Sequence, residues 1–197
     1  MGRPAKFDRE EAIEIAMNEI WRNGFEACSA KALSERLGIT RSSFYNAFEN
    51  REALFREVLA RYFAQSPDNA LTEAEKGVVV KKLITEVFRQ ACSARAGDPQ
   101  ARGCLVINSV SELCGVHDEL GGVIKSAVLG SLERFEELLR WGVEQGEFPA
   151  STDVHALALS LQNLLIGINA MSKVVRDEAD LWLAANTTLK ALEVFAE

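Results

Sequence analysis

Proline occurs at only four positions in this 197-residue chain: Pro4, Pro67, Pro99 and Pro149. Inside a helix, proline removes a backbone hydrogen bond and clashes with the preceding turn. Each of the four falls where the helical spacing of apolar residues also lapses, so the long stretches between them are free to be helix. No segment alternates apolar and polar residues with β-branched enrichment, the pattern a half-buried strand would show. The expected fold class is all-α, and no repeat of fixed period is visible.

The spacing predicts a first helix over 8–22, with Asp8 as N-cap, Glu11 three residues later and Asn23-Gly24 as the stop. Two short helices follow, one between Ser29 and Gly38 and one after Thr40, then a longer one from Asn50. Beyond Pro67 the candidates lengthen to 73–95, 103–113, 119–145, 153–176 and 178–196. Domains are therefore expected at 1–65 and 66–197, a small helical head followed by a larger helical body.

A hydrophobic share of 48% with 26% charged residues excludes disorder, collagen and a disulfide-dense miniature. Acids outnumber bases 29 to 22, a net charge of −7 that taken whole argues against a phosphate-backbone partner. The distribution weakens that argument. Residues 1–60 hold nine Lys/Arg and ten Asp/Glu, whereas residues 61–197 hold thirteen and nineteen. Within 29–51, Lys31, Arg36, Arg41 and Arg51 stand against Glu35 and Glu49, so that segment is locally positive.

The first residues lack the apolar run of a secretory signal, so a cytoplasmic protein is expected. Residues 154–172 carry no Asp, Glu, Lys or Arg, but His155, Gln162, Asn163 and Asn169 would be costly in hydrocarbon. A packed helix and no membrane partner are expected. Cys28, Cys92, Cys104 and Cys114 show no CxxC spacing and read as free thiols. Cys114-x-x-His117 has metal-like spacing without a second pair, so neither a metal nor another cofactor is expected. With no phosphate loop, GxSxG or HExxH, and no catalytic residue to name, an enzyme is not expected.

The most informative stretch is 29–48, SAKALSERLGITRSSFYNAF. A short helix, a turn at Gly38 and a second short helix capped by Thr40 make a helix-turn-helix. Arg41, Ser42, Ser43 and Asn46 are left exposed at the start of the second helix, where short polar side chains suit a major groove. Tyr45, Lys31 and Arg51 are candidates to hold phosphate oxygens. On spacing alone the alternative is a pair of bundle helices with a solvated Ser-Ser.

From Phe7 to Phe55 the chain resembles the DNA-binding head of TetR-type transcriptional regulators: an amphipathic first helix, Gly24-Phe25, Leu37-Gly38-Ile39-Thr40, Ser43-Phe44-Tyr45, Phe48 and Leu54-Phe55. Cys28 stands where that family usually has Thr, and Arg51 where it usually has Lys. The resemblance implies that 40–46 is the recognition helix and that Tyr45 touches the DNA backbone. The arm Gly2-Arg3-Pro4 resembles arms that enter a minor groove.

It implies, further, a homodimer on a double-stranded operator, with a body that dimerises through its last two helices and holds an unknown small-molecule effector. Interface candidates are Leu157, Leu161, Leu164, Leu165, Ile168 and Met171 on one helix and Leu181, Ala185, Leu189 and Leu192 on the other. Pocket or sensor candidates are Phe88, Cys92, Cys104, Leu105, Asn108, Val110 and Leu113. Gly103-Cys104-Leu105 resembles a TetR-type branch in which this motif opens a helix. A thiol at a helix N-terminus next to Arg102 would make Cys104 a thiol-reactive sensor. The expected function is a dimeric repressor released by a small-molecule or thiol-reactive effector. The competing class is a thiol-dependent enzyme or a small-molecule carrier with a helical body.

Overall fold

The computed structural model describes residues 8–197. Among them there are ten helices and no strand. They divide into two compact units meeting at Gln65 and Ser66.

The first unit contains α1 (Arg9–Asn23), α2 (Ala30–Leu37), α3 (Arg41–Phe48) and α4 (Arg51–Gln65). Asp8 starts α1 by accepting from the backbone N–H of Glu10 at 3.0 Å and Glu11 at 3.2 Å, which satisfies two donors the helix cannot pair itself. The apolar stripe of α1 (Ile13, Ala16, Met17, Ile20) is buried, as are Leu54, Phe55, Val58, Leu59 and Tyr62 of α4. Arg9 pairs with Glu57, and Arg61 with Glu14, so charges along the edges stitch α1 to α4. Phe25, Leu33, Phe44 and Phe48 close the same core from α2, α3 and the loop before them.

The second unit holds α5 (Asn69–Glu73), α6 (Val80–Ala96), α7 (Leu105–Leu113), α8 (Asp118–Glu144), α9 (Val154–Met171) and α10 (Glu178–Ala191). The helix expected over 73–95 is broken at 74–79, and α6 starts afresh at Val80. Its cap comes from a distance, since the Glu147 carboxylate accepts from the N–H groups of Val80 at 2.7 Å and Lys81 at 2.9 Å. A negative group there also suits the positive end of the helix dipole. The other ends of α6 and α9 are tied together by Arg176. Its guanidinium donates to the carbonyls of Arg95 (3.0 Å), Ala96 (2.8 Å) and Ser172 (2.7 Å).

Helix α9 is the one helix among the described residues long and apolar enough to cross a membrane. Two of its amide side chains are used inside the unit. Gln162 accepts from Ser131 at 2.9 Å, and buried Asn169 accepts from Arg95 at 2.6 Å.

Candidate nucleic-acid interface

The α2–turn–α3 element is built by three local devices. Ser29 Oγ accepts from Ala32 N–H at 3.1 Å and opens α2. Gly38 closes it in the left-handed region (φ 66°, ψ 26°), which a residue without Cβ enters at little cost. There the N–H groups of Gly38 and Ile39 reach back to Glu35 (3.2 Å) and Ser34 (3.0 Å). Thr40 Oγ1 then accepts from Ser43 N–H at 3.1 Å and opens α3. Leu33, Phe44 and Phe48 lock the pair from beneath, with the Phe44 and Phe48 rings 5.5 Å apart.

The outward face of α3 carries Arg41, Ser42, Ser43, Tyr45 and Asn46, all exposed, and Tyr45 is 50% exposed despite its size. Thr40 and Ser43 share a hydroxyl contact of 3.0 Å and serve the cap. Among the described residues, the side chains of Arg41, Ser42 and Asn46 have no hydrogen-bond or ion-pair partner. Three polar side chains of mixed donor and acceptor character thus stand free in the first two turns of one helix. This is what reading base edges requires.

Two sequence expectations change here. The positive charge counted over 29–51 is largely answered inside the unit: Lys31 lies 3.8 Å from Glu35, Arg36 3.0 Å from Glu19 and Arg51 3.7 Å from Glu26. Arg51, expected on phosphate, instead faces inward. It donates to the carbonyls of Phe25 (3.1 Å) and Cys28 (3.4 Å), and its guanidinium lies 4.2 Å from the Phe25 ring centroid. The cation that suggested a backbone contact therefore braces the α1–α2 loop. The arm Gly2-Arg3-Pro4 lies outside the described residues.

In the second unit, the pocket candidates Phe88, Cys92, Leu105 and Leu113 are at most 1% exposed and are packed as core. Apolar side chains at helical spacing close on one another rather than leave a void. Burial, then the charge of Glu178, push the Cys92 thiol up to about 11, so it stays protonated at neutral pH. Cys104 is buried in the N-cap position of α7. Asn108 bridges, donating to the Arg102 carbonyl at 2.8 Å and accepting from Lys173 Nζ at 3.2 Å.

The interface candidates are corrected in the same way. Leu161, Leu165, Ile168, Leu181, Ala185 and Leu189 belong to the unit's own core, and Leu157, Leu164 and Leu192 pack partly against it. Both helices keep a second stripe exposed: Ala156, Leu159, Ser160, Asn163, Ala170 and Met171 on α9, and Leu183 and Thr187 on α10. The charge-free composition of α9 signalled this second stripe. Period alone could not say which stripe faced inward.

Comparison with known proteins agrees with this geometry. The family model described as "Bacterial regulatory proteins, tetR family" matches residues 12–58, and "Tetracyclin repressor-like, C-terminal domain" matches residues 80–188. The HTH-type transcriptional repressor ComR of Escherichia coli K12 is 30% identical over 192 residues, covering 96% of this chain and 90% of ComR. The HTH-type regulator YezE of Bacillus subtilis 168 is 26% identical over 194 residues, 98% of this chain and 100% of its own. Among solved structures, a cysteine mutant of the TetR family transcriptional regulator CifR, complexed with 26-base-pair operator DNA, superposes with a TM-score of 0.82. It is 30% identical, with 96% of this chain and 99% of that one covered.

Proposed function

The chain belongs to the TetR family of bacterial regulatory proteins, and from that premise we propose that it is a homodimeric repressor released from a palindromic operator by a small-molecule effector. It is a DNA-binding transcriptional regulator. The observation that carries the finer reading is the free first half of α3. Arg41, Ser42 and Asn46 read base edges, with Ser43 beside them on the cap. Tyr45 and Lys31 hold phosphate, while Thr40 caps α3 and Arg51 braces the α1–α2 loop. Residues 1–65 form the DNA-binding part, residues 66–197 bind effector and partner, and the protein acts in the cytoplasm.

One such head covers a single half-site, and two-fold operators are read by two-fold dimers. The exposed, charge-free stripe of α9, with Leu183 and Thr187 of α10 beside it, supplies the surface for the second copy. Asn186 of α10 supports this, because its buried side-chain oxygen meets no donor among the described residues. A buried acceptor of that kind favours an arrangement that brings it a donor. An effector releases DNA only by binding one of two arrangements better than the other.

Gel shift with genomic fragments, followed by footprinting, tests the reading. We expect a symmetric footprint, relaxed base preference for Arg41→Ala, and a loss with Tyr45→Phe that is uniform across sequences. Absence of sequence-selective binding at any salt concentration would overturn it. Sedimentation tests the dimer, with Leu159→Glu plus Leu183→Glu expected to give monomers. The thiol-reactive form of the effector rests on Cys104 at the start of α7. Unchanged oxidant-triggered release in Cys104→Ser would remove it.

A further inference from the structure

The corner between α7 and α8 contains an open cleft of about 420 Å³, which takes in Val110 of the residues expected along a pocket. It exists because of two adjacent glycines. A Cβ on Gly121 would lie 2.6 Å from the Leu113 carbonyl oxygen, so α8 closes on the end of α7 only with glycine there. A Cβ on Gly122 would meet nothing within 4 Å and would stand in the cleft. Val110 of α7 and Val128 and Leu129 of α8 make apolar walls, and Leu129 is 46% exposed although it is a large aliphatic side chain.

Two charges border this apolar space, Asp118 and Lys125. Seven residues apart on α8, they share a face about 10 Å from one another. Asp118 is explained by its position, since it lies in the first turn, where a carboxylate complements the helix dipole. Lys125 has no such explanation: it is exposed, and among the described residues it has no ion-pair partner. His117, also in the lining, caps α8 through its Nδ1, which accepts from Leu120 N–H at 3.2 Å.

We propose that this cleft is the effector site of the regulator, and that it takes a small organic anion: an apolar ring or chain seated over Gly122 between Val110 and Leu129, with its acidic group on Lys125. The volume is that of an ordinary small-molecule pocket. The proposal rests on the regulator reading above for its biological role, but not for its chemistry.

The test uses two fluorescent probes on the full chain, 8-anilinonaphthalene-1-sulfonate and N-phenyl-1-naphthylamine, which share an aromatic body and differ in the sulfonate. We expect saturable one-to-one binding of the sulfonate probe, weakened about tenfold by Lys125→Gln and restored by Lys125→Arg. The neutral probe should be indifferent to Lys125→Gln, and Gly122→Phe, which fills the cleft without a backbone clash, should abolish binding of both. Circular dichroism confirms that each variant is folded. Binding that survives Gly122→Phe, or that Lys125→Gln leaves unmoved, overturns the site. Gel shift in the presence of the sulfonate probe separates the two levels. DNA binding without cleft binding refutes this inference alone, and cleft binding by a chain that binds no DNA refutes the regulator reading alone.

Discussion

Gly38 and Gly103 offer a controlled comparison, because they share a positive φ and differ in surroundings. Gly38 has φ +66° with nothing within 4 Å of where a Cβ would sit; Gly103 has φ +68°, but its Cβ would lie 2.8 Å from the Asn169 carbonyl oxygen and 3.1 Å from Lys173 Cγ. Alanine at either site incurs the left-handed penalty of about 1–2 kcal/mol. At Gly103 the lysine stem can swing away, but the carbonyl belongs to α9, near the Arg95–Asn169 bond. Forcing such a shift adds about 1–3 kcal/mol, the range for overpacking. Gly103→Ala should therefore cost roughly 2–5 kcal/mol, a large part of the ~5–15 kcal/mol that holds a typical domain. Its unit should melt about 6–20 °C lower, while Gly38→Ala, at about 1–2 kcal/mol in a unit half the size, should lower its own unit by about 4–16 °C, so the two losses are compared as free energies. Urea unfolding by fluorescence reads both. Trp21 reports the first unit and Trp141 and Trp182 the second, separated by Trp→Phe replacements. Equal losses at the two glycines, or a loss at Gly103 no larger than about 1 kcal/mol, would refute the packing argument.

Arg51→Ala should lower the stability of the first unit by about 1–3 kcal/mol in thermal melts, because two loop carbonyls lose a charged donor. Arg51→Lys should recover only part of that loss, since an ammonium cannot serve two carbonyls and stack on Phe25 as a planar fork does. In native maleimide labelling read by mass spectrometry, Cys114 should react first, as the one cysteine of the four that is not buried, and Cys92 last, its thiol pushed up to about 11. Burial pushes the Asp98 carboxyl up, but hydrogen bonds from the Arg102 side chain and from the backbone of Arg102 and Gln100 outweigh it and hold it below its ordinary value. A lowered folded value means stability that is present above the unfolded aspartate range near 3.9 and lost as pH falls through the folded value. Melts below about pH 4 should show a steeper acid loss in the wild type than in Asp98→Asn.

What was legible in the sequence was what is local. Asp8, Ser29 and Thr40 cap helices within three residues of themselves, and Gly38 turns the chain using carbonyls three to five residues back. Windows of helical spacing therefore located α1 to α4 and the exposed polar start of α3. What was not legible depends on residues far apart in the chain. Glu147 caps α6 from 67 positions away, and Arg51 finds its carbonyls 26 and 23 positions back. The α9 helix failed for a different reason. A helix without charges has no polar face to mark its outside, so Leu161 and Leu159 looked alike until the core was seen.

The Arg176 fork, reaching across from the α9–α10 connection, and the Asp98–Arg102 pair act at neighbouring points of the α6–α7 connection but answer to different chemistry. A guanidinium has no proton to lose at any pH the protein meets, and backbone carbonyls do not titrate. The knot joining the ends of α6 and α9 is therefore indifferent to acid, whereas the carboxylate that holds Arg102 is not. Acidification should undo this body in sequence. The segment leading into α7 should detach first, leaving a partly opened state in which α6 and α9 remain fastened. Amide hydrogen exchange at falling pH would show it as early deuteration confined to the approach to α7.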